Sequence, residues 1–297
     1  MISFFSRGAR LVPILAASAL AGCGIAPPKS PLPDAEAALA RMRDTGRCGT
    51  GVHANAKIDD FSKRGRVRGS LLMFASTPSL LRMDAISPFG VTLATLTADG
   101  KNFALSDLRE KHFYVGPATA CNIARLIRVP IPPHALVSLL RGQAPVVKHE
   151  AGASKMAWNS GGYYVVKLTG NRNAEEEIHL APHPDDFALP WNAQRMRVID
   201  VALRQDGFMV YHAEMKGHAP APTDVARVDD LGIDPPIPPS GPECRAELPR
   251  SFKLQVPSTD EDVLVQYDDV KWNPPLPEGV FTQQRPPGLD EAAVVCE

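Results

Sequence analysis

Charge of one sign is missing from this chain: 32 Lys and Arg stand against 33 Asp and Glu in 297 residues, with no basic stripe. That excludes the electrostatic footprint of a nucleic-acid binder. Closely spaced cysteines are missing too. Cys23, Cys48, Cys121, Cys244 and Cys296 lie too far apart for a zinc ribbon or a CxxC redox pair, which need their ligands or thiols in one local turn. Neither HExxH nor G-x-S-x-G occurs, and the serines and histidines show no local arrangement that marks an activated nucleophile. His179 and His183 are four apart with Asp185 and Asp186 close by, but Pro182 and Pro184 forbid the helix that would give this spacing its metal-binding meaning. The expectation is a protein that is not an enzyme and that carries neither cofactor nor metal.

The apolar run at 11–20 is too short to span a bilayer, and Arg7 and Arg10 precede it, so it reads as an export signal. It closes on Leu20-Ala21-Gly22-Cys23, which resembles the lipobox of bacterial lipoproteins. That resemblance implies removal of residues 1–22 and acylation of Cys23, whose several chains would hold the protein on a membrane. Gly24 follows, and the sorting rule of enterobacterial lipoproteins then implies the periplasmic face of the outer membrane. In such a compartment the other four cysteines are expected to form two disulfides, with three connectivities open. The favoured pairing is Cys244 with Cys296, which flank the C-terminal strands, and Cys48 with Cys121, which sit beside predicted helices.

Residues 23–33 are proline-rich and read as a semi-rigid spacer. Asp34 then caps a predicted helix over 34–45, with Ala35, Ala38, Leu39 and Met42 at helical spacing. After it the period changes to two, and Asp99-Gly100, Gly161-Gly162 and Asp206-Gly207 signal tight antiparallel hairpins. Two short helical pieces, 121–128 and 134–141, interrupt the strands. The predicted class is mainly β (α+β): a single, strongly curved antiparallel sheet of about eleven strands with a helical lid over its concave face, since larger open sheets tend to curl. It occupies 34–285, with an exposed proline-rich insertion at 218–242 and a tail at 286–297. Inward positions Leu71, Met73, Leu81, Met83, Leu93, Phe103, Leu105, Met209 and Tyr211 would line any cavity; their plain role is core packing, and the methionines suit flexible acyl chains. Acidic runs such as Glu175-Glu176-Glu177 and Asp268-Asp269 read as solvated loop or edge positions.

Ser87-Pro88-Phe89-Gly90 after a strand, then Asp99-Gly100, then Val129-Pro130-Ile131-Pro132 followed by Leu136-Val137-Ser138-Leu139-Leu140-Arg141-Gly142, resemble the outer-membrane lipoprotein receptor LolB and, more distantly, the periplasmic carrier LolA. The resemblance covers about residues 34–170. It implies a half-barrel with a helical lid around an apolar cavity for acyl chains. It also implies that the turn Pro88, Phe89 and Gly90 protrudes, with Phe89 as the apolar residue that pushes lipoprotein into the membrane. The chain departs from the receptor in its length, the 218–242 insertion, the extra cysteines and the tail. The resulting expectation is a monomeric, membrane-tethered protein that handles acyl chains or lipoproteins. The alternative keeps the fold with a filled core and binds an envelope partner through 218–242 or the tail.

Overall fold

The computed structural model describes residues 24–62, 65–127, 130–223, 241–258 and 260–295. Cys23, the signal segment, most of the 218–242 insertion and Cys296 lie outside the described residues. Helix α1 (Ala35–Gly46) begins where expected, because the Asp34 carboxylate accepts from the Ala37 N–H at 2.8 Å, and it buries Ala38, Leu39 and Met42 as one stripe. A six-strand meander follows: β1 (Gly51–Ser62), β2 (Gly65–Ser76), β3 (Leu80–Ile86), β4 (Thr92–Asp99), β5 (Asn102–Asp107) and β6 (His112–Pro117). Helices α2 (Ala120–Ile127) and α3 (Pro133–Leu140) then carry the chain across one face of the sheet to its far edge. There a second meander is built from β7 (His149–Asn159), β8 (Tyr163–Gly170), β9 (Ala174–Pro182), β10 (Met196–Gln205) and β11 (Phe208–Lys216). A small ladder of β12 (Ala219–Pro220) and β13 (Glu247–Leu248) precedes β14 (Ser251–Val256) and β15 (Glu261–Trp272), which fill the gap between the meanders, and β16 (Asp290–Ala293) ends the fold.

The result is one open sheet of 14 strands, ordered β16-β6-β5-β4-β3-β2-β1-β15-β14-β11-β10-β9-β8-β7. Among the described residues the fold is mainly β, with three α-helices and one large sheet, as expected, but the sheet has 14 strands instead of about eleven and is neither closed nor strongly curled. Part of the surplus comes from the tail: β16 pairs parallel with the edge strand β6, which protects an otherwise bare ladder edge. The tail is therefore a structural strand. The second meander begins with one long strand, β7, which has a register irregularity between His149 and Ser154. The core lies between the helices and the sheet face they cover, where Met73, Leu81, Leu96, Leu136, Leu139 and Val201 are fully buried.

Two devices tie the chain's ends to this core. Asn273, after β15, accepts on Oδ1 from the Thr50 and Gly51 N–H groups at 2.8 and 3.2 Å, and its Nδ2 donates to the Cys48 and Pro242 carbonyls at 2.8 and 2.7 Å. That hub brings Cys48 beside Cys244, and the two are disulfide-bonded, which corrects the favoured pairings. Cys121 is disulfide-bonded as well. The proline-rich run differs from expectation too. Instead of standing free as a spacer, it is docked: the Ile25 N–H donates to the Ser160 carbonyl at 2.8 Å, Trp158 Nε1 to the Ile25 carbonyl at 2.9 Å, and the Leu32 N–H to the Tyr164 hydroxyl at 3.1 Å. Prolines cannot donate to a ladder, so this segment is held by the N–H groups and carbonyls between them.

Candidate functional site

The Ser87 turn is built as its sequence dictates. Gly90, at φ +79°, closes it by donating its N–H to the Ser87 carbonyl at 3.0 Å, and the Val91 N–H donates to Ser87 Oγ at 3.1 Å. Phe89 at its apex is 92% exposed, with Val91 exposed beside it and Leu108 exposed on the neighbouring β5–β6 turn. An apolar ring held in water by a hydrogen-bonded turn is unfavourable unless it has another medium to enter.

The run around α3 serves architecture. Arg141 is buried, and its Nε donates to the Gly49 carbonyl at 2.8 Å, so it clamps the end of α3 to the α1–β1 connection; burial pulls its pKa down to about 10. Gly142 follows at φ +68°, the conformation that ends the helix. Asp99 likewise caps its hairpin, accepting on Oδ1 from the Lys101 and Asn102 N–H groups at 2.9 and 2.7 Å.

A cleft of about 520 Å³ opens where α3 meets the two halves of the sheet. Pro132, Ala135 and Ser138 of the helical segment form one wall, Ala144 to Val147 another, with Thr77 and Pro78 from the β2–β3 turn, Arg43 from α1, and Leu203 and Tyr211 from the second meander. This size suits a small organic or lipid ligand. Of the nine residues predicted to line a cavity, Tyr211 lines this cleft. Leu71, Met73, Leu81, Met83 and Leu105 are packed in the core and line neither this cleft nor the one described next. Leu93 and Met209 are half-buried outside the core cluster; Leu93 falls at the irregularity between the Ala85–Ala94 and Ile86–Thr92 pairs. Phe103 borders a second cavity, of about 600 Å³, on the opposite face of the sheet. Its cover is the chain after β15: Phe281, Thr282 and Gln283 lie over β4 and β5, with Gln283 Nε2 donating to the Thr95 and Ala104 carbonyls at 2.9 Å each.

Glu176 was not legible as a site residue. It was expected in a solvated acidic run, yet it is 1% exposed, because β9 alternates and Ile178, Leu180 and Pro182 share its inward face. That period-two pattern downstream was the available signal. Its Oε2 accepts from the Val147 N–H at 2.8 Å, Oε1 has no hydrogen-bond partner among the described residues, and burial lifts its pKa to about 7. The two histidines considered for metal do not converge. His179 pairs through Nε2 with Glu177 Oε1 at 2.7 Å on the open face, whereas His183 Nδ1 meets Arg195 NH2 at 3.0 Å and the Asp185 N–H at 3.2 Å. Asp268 and Asp269 are exposed, with Asp268 paired to Lys57.

No protein-family model matches the chain, and no curated protein matches it. Solved structures do. A DUF1329 family protein from Desulfovibrio piger ATCC 29098 superposes with a TM-score of 0.52 at 9% identity, covering 83% of this chain and 95% of that one. A putative outer membrane lipoprotein-sorting protein domain from Vibrio parahaemolyticus gives 0.49 at 10% identity, covering 83% and 97%. The LolA superfamily protein NE2245 from Nitrosomonas europaea gives 0.47 at 11% identity, covering 84% and 98%. The shared fold rests on the first of these. At such identities the likeness concerns fold alone.

Proposed function

We propose that this is a non-enzymatic, membrane-tethered lipid-handling protein of the bacterial envelope, acting as a monomer on acyl chains of lipids or lipoproteins. The observation that carries the reading is the cleft between α3 and the two halves of the sheet, walled by Pro78, Pro132, Ala135, Ala144, Val146 and Leu203. In this reading the sheet is a half-barrel and the helices its lid, and the cleft is the mouth through which a chain enters. Apolar walls of this size favour an acyl chain over water by about 0.8 kcal/mol for each methylene buried. Transfer needs no nucleotide, only a more apolar destination. Phe89, exposed at its turn, would enter the periplasmic leaflet of the outer membrane and hand the chain on. The anchor would be Cys23, two residues before the docked Ile25, so the domain would sit close against the membrane at the outer membrane's periplasmic face.

Native mass spectrometry of the full chain, after incubation with phospholipid, tests this. A bound acyl lipid that disappears in Leu203→Trp supports it; a clean ligand-free mass under the same conditions contradicts it. One observation favours the scaffold alternative: five of the residues expected to line a cavity are packed solid. That reading predicts no lipid uptake and an envelope partner captured only when residues 218–242 are present.

A further inference from the structure

Behind the cleft's sheet-side wall lies a polar pair that an acyl chain alone would not need: Tyr211 lines the cleft, and Glu176 is buried next to it. Leu168, Glu176, Leu203 and Tyr211 stand side by side in register on the covered face of β8 to β11. Leu203 and Tyr211 line the cleft, and so does Val147, whose N–H holds Glu176 Oε2. Glu176 is thus joined to the cleft wall through both its cross-strand neighbour and its hydrogen-bond donor. It is 1% exposed and Tyr211 is 2% exposed, and the free Glu176 oxygen is a buried polar atom of the kind that native proteins rarely leave unpaired. The Tyr211 hydroxyl also makes no hydrogen bond among the described residues, and burial first, then the field of Glu176, raises its pKa.

The cation that acts on the carboxyl is His149, whose field pulls the Glu176 pKa down by less than burial lifts it. His149 on β7 is engaged through Nδ1 with the Val147 carbonyl at 2.8 Å and through Nε2 with Glu36 of α1 at 3.0 Å. The remaining charged or titratable groups at the cleft are Arg43 of α1 and His134 of α3. With burial lifting its pKa to about 7, the acid is mostly protonated below neutral pH and there presents an O–H donor, as the phenol does.

We propose that the Glu176 carboxyl and the Tyr211 hydroxyl hydrogen-bond the ester carbonyl of an acylglyceryl group whose chain lies in the cleft. This rests on the acyl-cleft reading above and adds a recognition element to it. Two sources supply that ester, a glycerolipid and the diacylglyceryl-cysteine of a lipoprotein.

The test is displacement of N-phenyl-1-naphthylamine from the full chain by hexadecane, by 1-palmitoylglycerol and by a diacylglyceryl-cysteine peptide, at pH 5.5 and 8.5. The ester ligands are expected to bind about tenfold more tightly than hexadecane at pH 5.5, an increment of the size one or two buried hydrogen bonds supply. That advantage should shrink at pH 8.5, where the carboxyl is ionised. Glu176→Gln, which keeps a donor, should hold the advantage at both pH values, and Tyr211→Phe should reduce it at both; thermal melting checks that each variant is folded. Whichever ester binds more tightly names the source. Equal affinities for esters and hexadecane, or no change in either variant, overturn the polar pair while leaving the cleft intact. A reporter that does not bind the wild-type chain at all overturns the acyl-cleft reading itself.

Discussion

The two halves of the sheet solve the burial problem differently. Strands β3 to β5 are covered on both faces, by α2 and α3 on one side and by the segment around Gln283 on the other, so Thr95, Thr97 and Ser106 are buried although they point away from the main core. Among the described residues, strands β8 to β11 are covered on one face only. Their open face carries charge: Lys167 with Glu177 at 2.9 Å, His179 with Glu177 at 2.7 Å, and His212 with Asp200 at 2.7 Å. The edges follow the same division, since β6 is capped by β16 while, among the described residues, β7 pairs with β8 alone. The doubly covered half reads as a fixed frame. The singly covered half borders the cleft and holds the buried acid.

Substitutions can break this contrast. Leu96→Ala, at a fully buried position on β4, is expected to lose about 2–5 kcal/mol of unfolding free energy in a urea titration. In the other half the largest effect should come from Glu176 and should have the opposite sign. Its carboxyl is raised from 4.5 to about 7 in the folded chain, so the native state keeps a proton that the unfolded chain releases. Its contribution is therefore fully present below pH 4.5 and is lost as pH rises to about 7. Glu176→Gln should be more stable than wild type at pH 8, by an amount on the order of 3 kcal/mol at most, and the gain should vanish near pH 4. Urea titrations of both proteins across that range check it; a gain that does not depend on pH would refute the buried-acid account.

Smaller effects sharpen the comparison. Gln283→Ala removes the donor to the Thr95 and Ala104 carbonyls and should cost about 1–2 kcal/mol, with faster hydrogen exchange confined to β4 and β5. Lys167→Ala on the open face should change stability by less than about 0.5 kcal/mol, because its ion pair is largely solvated. Phe89→Ser should leave stability unchanged within about 0.5 kcal/mol, yet abolish acyl transfer to phospholipid vesicles while uptake persists.

Legibility in the sequence followed the range of the interactions. Asp34 as a cap, the Asp99-Gly100 hairpin and the α2–α3 interruption depend on local chemistry and stand in the structure where the residues placed them. The Cys48–Cys244 bond, the β16–β6 pairing and the docking of Ile25 on Ser160 depend on segments far apart in the chain, which no local period encodes. Glu176 shows an intermediate case. Composition suggested a solvated acidic run, whereas the alternation through Ile178 and Leu180 assigned it inward, and the sheet obeyed the alternation. The cavity was misplaced for a related reason: inward-facing strand positions such as Met73 and Leu81 were filled by the helices, and the space that remained lies where α3 meets Leu203 and Tyr211.

The most direct test of the acyl-cleft account is photocrosslinking with a diazirine-bearing palmitoyl lipid, followed by peptide mapping of the labelled full chain. The account predicts labelling in 132–147 and 203–211 that saturates with lipid concentration, is competed by unlabelled lipid and is lost in Leu203→Trp. Labelling that never saturates, or that concentrates on exposed apolar positions such as Phe89 and Phe208 and persists in Leu203→Trp, would contradict it.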